Sequence, residues 1–491
     1  MLFNSLEFLI FFPVVTLIYF LIPHKVRYIW LLFASYYFYM CWNPKYALLM
    51  GTSTVITYLS GILIGKFHNK QNIKKLCVAL SFIINIAILF FFKYFDFAIA
   101  NINSVLSVMG VELINPTFDV ILPVGISFYT FQALGYTVDV YRKDIEPEKN
   151  ILRYALFVSF FPQLVAGPIE RSGNLIKQLR EKHTFNTKNA AYGMMLMLWG
   201  FFEKLVIADR AAYIVDTVYN NYTEYTGLTI VVATVLFAFQ IYCDFASYSD
   251  IARGAAQVMG FDLMKNFETP YFAKSVAEFW RRWHISLSSW FRDYVYIPLG
   301  GNRRGRLRKY FNLAVVFFLS GLWHGASWSF VVWGLLNGFY QIVGDVTKKF
   351  RIQVSEFLGL DRNVFSNKLL KVIVTFTLVD FSWIFFRAGS FTAALTIIKN
   401  MFKEFNLWIF TDGTMYTLGL DRPDLFILLV SLLVLLFMSV LKYKGINIRE
   451  SLSKQGLWFR YFVYLAGIFA VLIFGVYGPT YDASQFIYFQ F

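Results

Sequence analysis

The sequence predicts an all-α integral membrane protein that crosses the bilayer many times, and three observations point to this fold class. Hydrophobic residues make up 58% of the 491-residue chain and aromatic residues 20%. The mean hydropathy is +0.54. Apolar runs that are long enough to span a bilayer as helices recur from end to end, and charged residues cluster between them. This composition excludes an ordinary soluble globular protein.

The apolar runs define the predicted spans in chain order. They are 8–22, 28–42, 47–64, 76–92, 120–140, 192–208, 227–242, a helical hairpin at 311–346, 370–386, 425–441 and 459–477. With re-entrant and broken helices included, we expect about 11 to 13 membrane helices. Residues 391–402 are expected to form a short amphipathic helix at the membrane surface.

No internal repeat or low-complexity linker divides the chain, so one integral membrane domain is expected over 1–491. Its core should lie at about 120–346, where most irregular polar segments occur. Peripheral spans should occupy 1–100 and 370–491.

The distribution of charge predicts an orientation. The net charge is +15, but lysine and arginine form short clusters after the first and third spans, after the hairpin and at 442–454, as in cytoplasmic loops. Residues 101–119 and 209–227 are poor in basic residues and should be external. Both termini are therefore expected outside the cell, in a bacterial cytoplasmic membrane, and nucleic-acid binding is not expected.

Polar residues interrupt several of the central apolar runs. Residues 122–142 contain proline and glycine as well as Asp139. Residues 161–171 are interrupted near Gly167, and residues 242–254 contain Asp244 and Asp250. Irregular backbone at membrane depth persists only where it is buried in protein or lines a cavity. We expect 161–171 to be re-entrant, and the three aspartates and Asp380 to be satisfied polar groups of a cavity wall.

Two histidines bracket the most polar stretch, residues 278–325. The apolar pattern around His284 predicts one continuous amphipathic helix, with His284 at its polar edge. His324 lies 15 residues after Lys309, the last residue of a basic cluster. In a helix this spacing corresponds to about 22 Å, which places His324 inside the hydrocarbon core. A neutral imidazole there could act as a general base, although a buried histidine can also be purely structural.

The sequence gives little indication of a metal site, a serine nucleophile or a phosphate-binding loop. No HExxH or GxSxG pattern occurs, and the three cysteines show no zinc-binding or disulfide spacing, so no metal is expected. The segment GGNRRG lacks the lysine and following serine or threonine of a phosphate loop, which favours a tight turn with a basic face. Its neighbourhood could still attract an anionic donor through Arg303, Arg304 and Arg306.

Five long motifs resemble the membrane-bound O-acyltransferase family, in the branch of the alginate O-acetylation membrane subunit. In chain order they are PVGISFYTFQALGYTVDVYR, FPQLVAGPIER, YCDFASYSDIARG, FWRRWHISLSSWFRDYVYIPLGGNRRG and SGLWHGASWSFVVWG. The resemblance implies a funnelled helical bundle with a tunnel that joins the two membrane faces, and it makes 120–346 the catalytic core. It also implies that His324, in WHG, is catalytic and that His284, in RRWH, is its companion.

The resemblance implies a transfer across the membrane. An acyl group, with acetyl as the expected one, would pass from a cytoplasmic thioester to a hydroxyl supplied from outside. This transfer would serve O-acetylation of an extracellular or cell-wall polysaccharide. Acetyl-coenzyme A or an acyl carrier protein would be the donor, and no cofactor would stay bound. A separate extracytoplasmic serine-hydrolase-like protein would act as partner, and the surrounding membrane lipid is a further expected partner.

The last residues, YDASQFIYFQF, stay apolar after the final span. They could form an aromatic belt at the interface. Alternatively, the external tail could fold back into the tunnel, where Tyr488 would be a transient acyl acceptor with His324 as its base.

Three alternative functions are open at this point. The related branch that transfers D-alanine to teichoic acid shares the general pattern. A polytopic transporter or flippase would also suit intramembrane acids and broken helices, although the irregular segments form one central block instead of two matching halves. A non-catalytic scaffold would give the two histidines no role.

Overall fold

The fold was analysed in a computed structural model that describes residues 1–115, 122–165, 167–359, 361 and 364–477. Within these ranges the regular structure is entirely helical and no strand occurs. The all-α prediction is confirmed. Backbone contacts divide the chain into two compact units.

The first unit contains residues 1–194 and 252–264. Its helices are α1 (Leu6–Leu21), α2 (His24–Met40), α3 (Pro44–Lys66), α4 (Gln71–Lys93), α5 (Phe95–Val108), α6 (Ile126–Arg142), α7 (Ile151–Ser159), α8 (Phe161–Leu164), α9 (Ser172–Arg180) and the start of α10 (Thr187–Phe201). Helix α5 extends to Val108 and so enters the segment 101–119, whose external location stays a prediction. The predicted span 120–140 begins later, at Ile126.

Helices α3 and α6 pack closely in this unit. A Cβ at Gly61 would lie 2.7 Å from the ring of Tyr136, so only glycine permits this approach. The described residues between α8 and α9 have irregular backbone, as expected for part of 161–171. A Cβ at Gly125 would lie 2.6 Å from the carbonyl oxygen of Leu164, the last residue of α8. The re-entrant path of 161–171 stays a prediction.

The second unit contains residues 195–251 and the described residues from 265 onward. It holds the end of α10, a π-helical segment (Phe202–Ala208), α11 (Asp209–Asn220), most of α12 (Gly227–Val258), α13 (Val276–Arg282), α14 (Ile285–Phe291), a second π-helical segment (Arg292–Tyr296), α15 (Gly305–His324), α16 (Trp328–Val346), α17 (Lys348–Phe357), α18 (Phe365–Arg387), α19 (Phe391–Met401), α20 (Arg422–Tyr443), α21 (Ile448–Ser453) and α22 (Leu457–Phe474). The predicted hairpin at 311–346 is confirmed as α15 and α16. Its turn directly follows His324.

Helix α12 corrects a prediction. Residues 242–254 were expected to be irregular, but α12 runs without a break through Asp244 and Asp250 to Val258. The charge of Asp244 is compensated from another helix, as described below.

Seven segments among the described residues are long and apolar enough to cross a membrane. They are Pro44–Lys66, Gln71–Lys93, Thr187–Asn220, Gly227–Val258, Phe365–Arg387, Arg422–Tyr443 and Leu457–Phe474. Leu6–Leu21 and Phe95–Val108 are apolar but shorter. The prediction of a membrane protein with many spans is confirmed.

Candidate active site

The segment around His284 differs from its prediction. Helix α13 ends at Arg282 and α14 begins at Ile285, with His284 between them at φ 44° and ψ 54°. This left-handed conformation is costly for a residue with a side chain. It is held because the Ile285 N–H donates to the Asn266 carbonyl and the Glu268 N–H donates to the Arg282 carbonyl, each at 2.9 Å. The expectation of one continuous helix is therefore wrong.

Asn266 also fixes the ring of His284. Its Oδ1 lies 3.2 Å from His284 Nδ1 and accepts hydrogen bonds from the Ser286 N–H at 3.2 Å and the Ser286 hydroxyl at 2.8 Å. An amide oxygen only accepts, so Nδ1 of the imidazole must carry the proton. In the neutral ring, Nε2 is then the basic nitrogen.

His324 has the same tautomer by a different route. It is the last residue of α15, it is 3% exposed, and its Nδ1 lies 2.6 Å from the Ser320 carbonyl oxygen one turn earlier. A carbonyl oxygen only accepts, so Nδ1 donates and Nε2 is the basic nitrogen. The negative end of the helix dipole also favours a proton taken up at this position.

The two histidines lie together in an aromatic chamber. Their ring centroids are 6.5 Å apart and the ring planes are nearly perpendicular, at 79°. Trp333 lies 4.7 Å from His324, and Phe245 lies 4.6 Å from His284. Trp323 contacts both histidines, at 4.9 and 5.8 Å. Because apolar rings exclude water, burial favours the uncharged imidazole of His284.

Glycine shapes the turn that presents His324. A Cβ at Gly325 would lie 2.1 Å from the ring of Phe330, so the side chain of Phe330 occupies the space that any other residue would need. Phe330 packs against Phe386 at 5.0 Å, and Phe386 lies 5.6 Å from His324. The glycine of WHG therefore fixes the aromatic wall beside the base.

A buried polar network supports this wall. Asn337 Oδ1 accepts from Trp280 Nε1 at 3.2 Å, and Asn337 Nδ2 donates to the Trp333 carbonyl at 2.9 Å and to Ser382 Oγ at 3.2 Å. These bonds join α13, α16 and α18. Trp333 stacks on Trp383 at 5.6 Å in the same layer.

The arginine loop lies away from the histidines. Arg303, Arg304 and Arg306 are exposed on the turns before and at the start of α15. From Arg306 to His324 the helix rises about 27 Å, at 1.5 Å per residue. The structure therefore places the basic loop and His324 at opposite ends of α15. Tyr488 lies outside the described residues.

Comparisons with known proteins agree with this site. The profile described as MBOAT, membrane-bound O-acyltransferase family, matches residues 148–357, which include both histidines. A probable alginate O-acetylase of Pseudomonas aeruginosa is 35% identical over 448 residues, covering 91% of this chain and 82% of that protein. A peptidoglycan O-acetyltransferase of Helicobacter pylori is 35% identical over 439 residues, covering 82% and 80%.

The chain belongs to the membrane-bound O-acyltransferase family. It is an acyltransferase, as the resemblance implied. More distantly, it is 24% identical over 290 residues to a teichoic acid D-alanyltransferase of Bacillus subtilis, covering 56% of this chain and 71% of that protein.

Asp139 and Asp244, two of the four aspartates expected to be satisfied, have partners. The buried Oδ1 of Asp380 has no hydrogen-bond partner among the described residues, contrary to the expectation. Lys204 Nζ lies 2.5 Å from Asp244 and 2.7 Å from Asp209, and all three side chains are buried. Asp139 accepts from the Ser172 hydroxyl at 2.5 Å, as expected of a satisfied polar group.

The acyltransferase site also contains residues that the sequence analysis did not select. Asn266 and Asn337 were missed, because neither belongs to a known catalytic pattern. An asparagine inside an apolar run, as at 337, was the available signal, since buried amides require partners. No group of three or more potential metal ligands occurs among the described residues.

Proposed function

We propose that this acyltransferase moves an acyl group, with acetyl as the expected one, from a cytoplasmic thioester across the membrane for O-acetylation of an extracellular or cell-wall polysaccharide. The observation that supports this most directly is the pair of buried histidines, both with Nε2 as the basic nitrogen. The names of the relatives that are 35% identical, an alginate O-acetylase and a peptidoglycan O-acetyltransferase, support acetyl and a polysaccharide.

His324 is the proposed general base. Its Nε2 takes the proton of the acceptor hydroxyl while the hydroxyl oxygen bonds to the thioester carbonyl carbon. When the tetrahedral intermediate collapses, the carbon–sulfur bond breaks and the departing thiolate recovers the proton from the imidazolium. His284, held by Asn266, orients the reacting groups from the other side of the chamber.

The donor approaches from the face that carries Arg303, Arg304 and Arg306. These exposed arginines would attract the phosphates of coenzyme A or the acidic surface of an acyl carrier protein. The donor is a substrate and does not stay bound. Because the arginines lie about 27 Å from His324 along α15, the thioester must reach the histidines on an extended arm.

The acceptor comes from the opposite face. A separate extracytoplasmic serine-hydrolase-like protein would receive the acyl group and complete the transfer to the polysaccharide. This proposal requires both chain termini to be extracytoplasmic in the bacterial cytoplasmic membrane. Tyr488 near the C-terminus is a proposed intermediate acceptor, and Tyr488→Phe, which removes only the hydroxyl, would leave polysaccharide acylation unchanged if the tail is merely an anchor.

Mass spectrometry of envelope polysaccharides tests the proposal. Cells that lack the protein should lose acetyl esters, and wild-type protein should restore them while His324→Ala should not. Loss of D-alanyl esters instead would favour the teichoic acid reaction. Unchanged esters, with an altered distribution of a transported solute or lipid, would favour a transporter.

A further inference from the structure

An apolar cavity separate from the histidine chamber lies in the second unit, among α10, the first π-helical segment, α20, α21 and α22. Its volume is about 420 Å³, which is within the range of small-molecule sites. Nearly all of its lining is apolar, including Phe202, Met438 and Ala470. None of the lining residues belongs to the histidine chamber.

Among the described residues that line this apolar cavity, two are cationic and none is acidic. Lys442 is in the last turn of α20 and Arg449 is in α21. The Lys442 ammonium lies 5.3 Å from the ring centroid of Trp199, and it is also attracted by the buried carboxyl of Glu203. An ammonium has three N–H donors, so this setting positions Lys442 without using all of them.

A polar group also faces the cavity. The hydroxyl oxygen of Tyr464 is buried and has no hydrogen-bond partner among the described residues, although Tyr464 is one of the lining residues. A buried hydroxyl without a partner is unfavourable. A ligand that combines hydrocarbon with acceptor oxygens would satisfy the hydroxyl and fill the apolar space together.

The helices that line the cavity also carry exposed apolar side chains. Phe437 on α20 and Phe462 on α22 are 61% and 69% exposed, as expected for helix faces that contact acyl chains. Lys442, Lys444, Arg449 and Lys454 cluster at this end of the spans, which favours the cytoplasmic side. Acidic phospholipids of that leaflet attract basic juxtamembrane segments.

We propose that this cavity binds an acidic phospholipid of the cytoplasmic leaflet. One acyl chain lies along Phe202, Met438 and Ala470, the anionic phosphate contacts Lys442 and Arg449, and an ester oxygen accepts from Tyr464. This inference goes beyond the acyl-transfer proposal and does not depend on it, because no histidine or acyl donor takes part.

Lipid binding to the full-length protein tests the charge requirement. The protein is placed in nanodiscs of dioleoyl phosphatidylcholine with added dioleoyl phosphatidylglycerol, and lipids retained after detergent extraction are counted by native mass spectrometry. Phosphatidylglycerol should be retained preferentially, since both lipids have the same acyl chains. The double variant Lys442→Gln/Arg449→Gln should weaken this binding about tenfold, or about 1.4 kcal/mol. The matched variant Lys444→Gln/Lys454→Gln loses the same charge outside the cavity lining and should bind like the wild type.

A second pair of variants tests the acyl-chain requirement. Ala470→Leu adds volume inside the cavity and should reduce phosphatidylglycerol retention, whereas Ala466→Leu, at an exposed position of the same helix, should not. Thermal stability in pure phosphatidylcholine should be similar for this pair. Equal retention of the two lipids by the wild type, or equal effects within each variant pair, would overturn the proposal. Inorganic phosphate that displaces phosphatidylglycerol and is itself retained equally well would also overturn the proposal, because the acyl chain would then have no role.

Discussion

His284 and His324 lie with their ring centroids 6.5 Å apart, and each directs its Nδ1 toward an oxygen that can only accept a hydrogen bond. Both rings therefore keep Nε2 as the basic nitrogen. Two imidazolium charges at this separation in an apolar chamber would repel strongly. The pair can therefore take up at most one proton at a time, so that one ring accepts the proton while the other stays neutral.

Replacement of the proposed base should abolish most of the activity. His324→Ala is expected to lower kcat by about 10² to 10⁴-fold, as for loss of a general base. His284→Ala should cost less if that residue only orients the reacting groups. Acetyl transfer is measured with purified protein, and monodispersity in detergent verifies folding. Normal turnover by His324→Ala at normal expression would remove this residue from the mechanism.

The contact between Asn266 and His284 should determine the pH dependence. Asn266→Asp keeps an oxygen acceptor at Nδ1 but adds a negative charge, which stabilises the imidazolium form and raises the pKa of the ring. A protonated His284 would oppose proton uptake by the neighbouring base His324, so the acidic limb of the rate profile should move to higher pH. Asn266→Leu should lower kcat at every pH instead. A profile of Asn266→Asp that coincides with that of the wild type would show that the amide does not act through the histidine.

The glycine after His324 should be far less tolerant than another glycine of the same hairpin. Gly325→Ala places a Cβ 2.1 Å from the Phe330 ring, and the resulting overpacking should cost about 1 to 3 kcal/mol and disturb the wall beside His324. Gly344→Ala is the matched control, because no heavy atom lies within 4 Å of its added Cβ. Thermal unfolding and activity are compared. Similar results for the two variants would contradict this packing argument.

Glu170 should make stability depend on pH. Burial raises the pKa of this carboxyl to about 7, although hydrogen bonds from Asn174 and from the Met264 N–H partly oppose the effect. The folded state thus holds its proton more tightly than the unfolded state, whose value is 4.5. The stability from this group is fully present below about pH 4.5 and is lost as the pH rises through about 7.

Melting temperatures measured between pH 5 and pH 8 test this expectation. The wild type should lose several degrees more than Glu170→Gln, which does not ionise and keeps one acceptor oxygen, enough for the Met264 N–H. Glu181→Gln, at an exposed position nearby, serves as the control. If Glu170→Gln loses stability as steeply as the wild type, the carboxyl is not the source.

The arginine loop should affect donor binding and not the chemical step. Neutralising Arg303, Arg304 and Arg306 to glutamine should raise the donor KM and weaken its salt dependence, because exposed charges are screened over about 8 to 10 Å. The kcat should stay near the wild-type value. The matched control neutralises Lys348, Lys349 and Arg351, which belong to a different basic cluster. An external location of the 300–305 loop in labelling experiments would reverse the proposed orientation.

Several features were predictable because they depend on local sequence. The turn after His324 followed from an apolar run too long for one span between two basic clusters, and the structure places it there. The break at His284 was not predictable from its own pattern, since apolar spacing is helical on both sides. It depends on backbone pairing with residues 266 and 268, which precede the helix.

The error at residues 242–254 has a similar origin. Asp244 and Asp250 suggested irregular backbone, because a helix of this kind carries charge into an apolar setting. Lys204 compensates Asp244 from another helix, and no local pattern shows that pairing. The roles of Asn266 and Asn337 were hidden for the same reason.

The triad of Lys204, Asp209 and Asp244 also constrains how the nascent chain enters the membrane. The cation and the first acid are synthesised well before Asp244, which lies on α12. Lys204 and Asp209 already balance each other on the earlier segment, whereas release of α12 into lipid by itself would expose the Asp244 charge without its cation, at a cost of several kcal/mol. Membrane biogenesis therefore favours retention of the segment around Lys204 at the insertion machinery until α12 emerges, so that the two helices partition into the bilayer as a pair.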